Sequence, residues 1–121
     1  MENSRSEQIE ALKTLEEFNG KLVGNMKPLV NELSGNRLDD TDKLLKTVID
    51  SLNWEINVVN LTMEVLNDGK TRVDKDDFNK SVSALSEAIS SGDDNKMANQ
   101  FREVIKIFEG LDVAIKEVVT V

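Results

Sequence analysis

A chain of 121 residues with 39% hydrophobic and 31% charged residues has the balance of one soluble globular domain built on a single core. Its net charge of −8 opposes phosphate backbones and anionic membranes, which are bound through clustered Lys and Arg, so no nucleic acid and no membrane partner is expected. With no Cys and no His, disulfides, thiolate or imidazole metal ligands, catalytic triads and histidine phosphorelays are excluded.

No run of about 18 apolar residues occurs, so no segment is expected to span a membrane. The N-terminus, Met1-Glu2-Asn3-Ser4-Arg5, leads into an acidic amphipathic stretch without an apolar signal core. Cytoplasmic location is therefore the expectation.

The first predicted helix covers about 5–33. Leu12, Leu15, Leu22, Met26, Leu29 and Leu33 hold a heptad register, with Asn19 at the one polar seam position. Ser34-Gly35 supplies a glycine C-cap. Pro28 cannot donate to the carbonyl of Gly24, and its ring crowds that carbonyl, so a bend or break is expected near residues 24–28.

The second helix is expected over 41–67, after the capping cluster Asp39-Asp40-Thr41-Asp42 and before Asn67-Asp68-Gly69. It is apolar on two faces. Leu45, Ile49, Leu52, Ile56, Val59, Met63 and Leu66 form one seam, and Trp54, Val58, Leu61 and Val65 form a second stripe roughly 160° away. A surface helix needs one buried face, so two faces imply a central position or a surface kept for a partner.

The third helix, about 75–90, is short and serine-rich, with Asp74 as N-cap and Val73 placed to pack on Phe78 as a hydrophobic staple. Ser91-Gly92 ends it. Asp93 caps the fourth helix, about 94–119, whose seam is Met97, Phe101, Val104, Phe108, Leu111, Ile115 and Val118. No segment shows sustained period-two alternation, so no strand is predicted.

The expected fold is a single all-α domain over 1–121. It is an up-down-up-down antiparallel four-helix bundle with a short third helix and a bend in the first near Gly24–Pro28. The short third helix cannot cover its neighbours along their length, which leaves part of the seam under a loop, open, or covered by another chain.

No catalytic, cofactor-binding or metal-binding residue stands out. Glu16-Glu17, Glu55, Glu64, Glu103, Glu109 and Glu117 fall at or outside the seam edges, where a solvated face explains them. The Asp clusters lack the ligand spacing of a calcium loop and instead open helices, where carboxylates accept free backbone N–H groups. No phosphate-cradling glycine motif occurs. The chain is expected not to be an enzyme, to use no cofactor and to take no small-molecule substrate.

What remains is the stripe Trp54, Val58, Leu61 and Val65. Trp buries a large area at small entropic cost, and three helical turns suit a helix-pair contact. The stripe is either covered within the monomer, used in a homodimer, or kept for another protein.

The segment Ala84-Leu85-Ser86-Glu87-Ala88-Ile89-Ser90-Ser91-Gly92-Asp93, a helix ending in a small acidic turn before a long last helix, carries a likeness of wider extent. In length, charge and turn placement the chain resembles the small bacterial helical chaperones of flagellar and type III export, of the FliS and FliT kind. That resemblance implies a bacterial cytoplasmic protein that shields an export substrate.

The expected function is a non-enzymatic protein–protein interaction module, adaptor or export-type chaperone. The alternatives are an acidic antitoxin or immunity-type inhibitor of a basic effector, and a purely structural dimeric bundle.

Overall fold

The computed structural model describes residues 3–120. Among them the chain forms five α-helices and no strand: α1 (Asn3–Leu33), α2 (Thr41–Leu61), α3 (Met63–Leu66), α4 (Lys75–Ser91) and α5 (Asp94–Val119). The helix starts at 41, 75 and 94 coincide with the sequence expectation.

Two expected features differ. The helix expected over 41–67 is interrupted at Thr62, whose backbone N–H reaches both Val58 O and Val59 O and whose hydroxyl donates to Val58 O at 2.7 Å. A Ser or Thr hydroxyl that bonds back to the preceding turn loosens the helical ladder there. The single turn α3 then carries the chain on. Of the bend or break expected near residues 24–28, the break is absent, since α1 runs through Pro28 without interruption. Gly24 and Pro28 are both exposed, so the carbonyl that Pro28 leaves without a donor opens to water.

Heptad seams account for the core. On α1 Leu12, Leu15, Asn19, Leu22, Met26, Leu29 and Leu33 are buried; on α5 Met97, Phe101, Val104, Phe108, Leu111 and Ile115 are buried. The rings of Phe78 on α4 and Phe108 on α5 stack with centroids 5.6 Å apart.

α1 packs most extensively on α5, then on α2, and α4 packs on α5. Cross-links join the late part of each helix to the early part of its neighbour, so these pairs are antiparallel. Glu32 accepts from Thr41 Oγ1 at 2.7 Å, and Arg5 pairs with Asp68, across α1 and the α2–α3 arm. Arg102 on α5 donates to Ser34 Oγ at 2.9 Å, just past α1.

The connections are tied down by two arginines. Arg37, between α1 and α2, forks onto Asp94 through Nε (2.6 Å) and Nη2 (3.0 Å), and reaches Asp42 through Nη1 (2.8 Å). The hydrogen bond from Arg37 holds the Asp94 carboxyl below the usual carboxylate range. Arg72, before α4, donates to Leu66 O, Asp68 O and Glu117 Oε1.

Candidate interaction surface

The side chains of α2 sort into an inner line, an outer edge and an opposite flank. Val48, Leu52, Glu55, Val59 and Thr62 are buried at spacings of four and three, a heptad line with two polar members. This differs from the expected seam: Ile49 and Ile56 are only partly buried, and the buried line is displaced toward Val48 and Glu55.

Trp54 lies on the outer edge, 43% exposed, and its ring meets Phe18 of α1 edge-on at 4.7 Å. Leu61, two turns on, is 75% exposed, and Val58 between them is half-buried. Val65 does not belong to this edge. It is buried with Met63 and Leu66 on the turn α3, which packs against α5 as well as α1. The expected four-residue stripe is therefore Trp54, Val58 and Leu61, extended by Phe18. The other exposed large hydrophobics, Leu38 and Val113, lie far from it in sequence, in the α1–α2 loop and on α5.

On the opposite flank α2 faces α4 without packing closely on it. The two helices are linked by a reciprocal amide pair, Asn60 Nδ2 to Asn79 Oδ1 (3.2 Å) and Asn79 Nδ2 to Asn60 Oδ1 (3.1 Å). Beyond that pair they enclose a cleft of about 220 Å³ with apolar walls from Ile49, Leu52, Ile56, Val82, Leu85 and Ile89. Wider hollows of about 470 and 530 Å³ are lined mainly by polar side chains such as Glu87, Asn99, Gln100, Asn60 and Glu64. The α2–α4 cleft is mainly apolar by comparison with these, as is a hollow of about 200 Å³ beside Val73, Phe78, Ile107 and Leu111.

Glu55 contradicts its expected solvated position. It is fully buried, and neither carboxyl oxygen has a hydrogen-bond partner among the described residues. Burial alone pushes its carboxyl up to about 8. Asn19 on α1 is also fully buried; its Nδ2 donates to Phe108 O at 3.0 Å while its Oδ1 is unpaired. The signal for Glu55 was present in the spacing, since Val48, Leu52 and Val59 bracket it in heptad register. Chemical type had overridden periodicity.

The acidic clusters act as caps and ion-pair partners. Asp74 accepts from Asp77 N at 3.0 Å, and Asp93 from Lys96 N at 3.1 Å. At α2 the expected capping cluster works differently. Asp40 makes no side-chain cap bond, and Thr41 Oγ1 instead accepts from Leu38 N at 2.8 Å. Among the described residues no three His, Cys, Asp or Glu side chains group as a metal site, and no helix is long and apolar enough to cross a membrane.

A family model described as Domain of unknown function (DUF8042) matches residues 10–112, which takes in all of α2, α3 and α4. No curated protein and no solved structure matches the chain.

Proposed function

The chain belongs to the DUF8042 family, and from its own geometry we propose a non-enzymatic protein-binding module, an adaptor or export-type chaperone of the bacterial cytoplasm. Its long helices α1, α2, α4 and α5 are read as an up-down-up-down bundle in which one lateral seam, between α2 and α4, stays apart. The observation that carries the proposal is the outer edge of α2, where Trp54 and Leu61 stand exposed beside Phe18 and Val58.

Charge indicates the occupant. From Thr47 to Gly69 the chain has no Lys or Arg; Asp50, Glu64 and Asp68 are exposed, with Asp50 paired to Lys46 and Asp68 to Arg5. An amphipathic helix whose apolar stripe is flanked by Lys or Arg matches this edge. A second copy would bring one acidic rim against another, so self-association is the weaker reading.

The test uses a synthetic amphipathic Leu/Lys helix as probe, with Trp54 emission as the readout. Leu61→Asp makes the edge more acidic, so a purely electrostatic attraction would strengthen. The proposal predicts that binding weakens at least tenfold with helicity retained. Equal or tighter binding by Leu61→Asp would refute it, and concentration-dependent dimerisation abolished by the same substitution would favour the second copy instead.

The acidic balance supports one other reading, an antitoxin or immunity-type inhibitor of a basic effector. Its binding would fall steeply with salt, whereas an apolar contact would not.

A further inference from the structure

The core of this protein holds an acid that nothing neutralises. Three cross-links fix how α2 lies along α1: the Phe18–Trp54 ring contact, the Glu32–Thr41 hydrogen bond and the Arg5–Asp68 ion pair. In that register Asn19 and Glu55, both fully buried, fall at about the same level of the helix pair, each one residue on from the Phe18–Trp54 contact. Together they carry three unpaired acceptors, Asn19 Oδ1 and both oxygens of Glu55. A carboxylic acid O–H is the one donor that protonation can add among them.

No charge on the neighbouring elements compensates a carboxylate here. Glu16 and Lys21 on α1, Lys80 and Glu87 on α4, and Glu109 and Asp112 on α5 lie on exposed or half-exposed faces, and none forms an ion pair with Glu55. Burial is the whole cause of the displaced titration. An ionised Glu55 must therefore reach water by moving its helix.

α2 is free to move on one side: it is seated along its length on α1 alone, as α4 is on α5 alone, and the cleft lies between the two.

We propose that Glu55 is a protonation latch: as the neutral acid it lets α2 seat on α1, and on ionising it releases α2 outward. This rests on the reading of α2 as the interaction element and supplies its regulation. Release uncovers Val48, Leu52 and Val59 beside Trp54 and Leu61, so the apolar surface offered to a partner grows with rising pH.

The sign follows from proton linkage. The seated state holds the proton to higher pH than the released state, in which Glu55 titrates as an ordinary carboxylate. The opening equilibrium then rises about tenfold per pH unit between the two values, or roughly 50- to 100-fold from pH 5.5 to 7.5, and levels above about 8.

Native-state hydrogen exchange of the full chain, corrected for intrinsic exchange rates, tests this without any partner. Amides in 44–60 should open roughly 50- to 100-fold more at pH 7.5 than at pH 5.5, while those in 101–115 change far less. In Glu55→Gln the difference should vanish; if that variant does not fold, Glu55→Met carries the same expectation. The latch is overturned if the α2 amides show no rise, if α2 and α5 rise together, or if the substituted chain keeps the rise. Such a failure leaves the Leu61→Asp probe experiment standing, and failure of that experiment leaves the latch standing.

Discussion

Glu55 shows how position can override residue type. Its neighbours in the buried line, Val48, Leu52 and Val59, draw it into the core. A folded-state value raised to about 8 means that this group's contribution to stability is greatest below the ordinary carboxylate range. That contribution is lost as pH rises, and it is constant above about 8. Glu55→Met should therefore stabilise the protein by about 1–3 kcal/mol at pH 7.5, with a gain that shrinks toward pH 5. Urea denaturation at the two pH values measures it, and an equal or opposite pH trend would contradict the assignment. Trp54 shows the reverse case. The sequence separated it from the Leu52 and Val59 seam but left open whether that second face is covered in the monomer, and it lies 43% exposed, whereas Val65 of the same expected stripe is buried.

Helix limits were legible wherever a cap has one dominant mechanism. Asp74 and Asp93 each accept from the backbone N–H three residues on, and Gly92 closes α4 with φ of 68°, which favours glycine. The start of α2 was located correctly but for an incomplete reason, because Thr41 rather than Asp40 makes the side-chain bonds. This yields a contrast: Asp93→Ala should cost about 1 kcal/mol, Asp40→Ala under about 0.5 kcal/mol. Thr41→Val should cost about 1–3 kcal/mol, because it leaves the buried Glu32 carboxylate and the Leu38 N–H without their partner. Thermal denaturation of the three variants separates these values. The interruption at Thr62 was hidden because Thr62 continues the four-and-three spacing from Val59 to Leu66, so hydrophobic periodicity alone reads one helix there. At Pro28 the opposite happened, and a residue known for breaking helices was accommodated on an exposed face.

Seam composition determines how many helices the molecule has and which face of each is buried, but lateral order depends on how closely pairs can approach. α1 and α5 carry the most continuous buried seams and pack most extensively. The serine-rich α4 satisfies α5 and leaves its other side short of α2, with Val82 and Ile89 only partly buried at the resulting cleft. The short helix expected over 75–90 left the seam under a loop, open, or covered by another chain; that a cleft would lie along α2, which carries a buried acid, was not legible from lengths alone. At this scale the net charge of −8 also acts. Raising salt from 0.05 to 0.5 M should slow association of the Leu/Lys probe by about tenfold and change its dissociation rate little, since screening acts on encounter more than on the apolar contact. Stopped-flow fluorescence of Trp54 measures both rates.

The proposed latch makes this an all-helical molecule with one helix half-committed around an uncharged carboxyl. Carboxyl carbon-13 NMR titration of Glu-labelled protein tests that description most directly. One glutamate resonance, absent in Glu55→Gln, should titrate near pH 8. A Glu55 resonance that titrates in the ordinary carboxylate range would contradict the account.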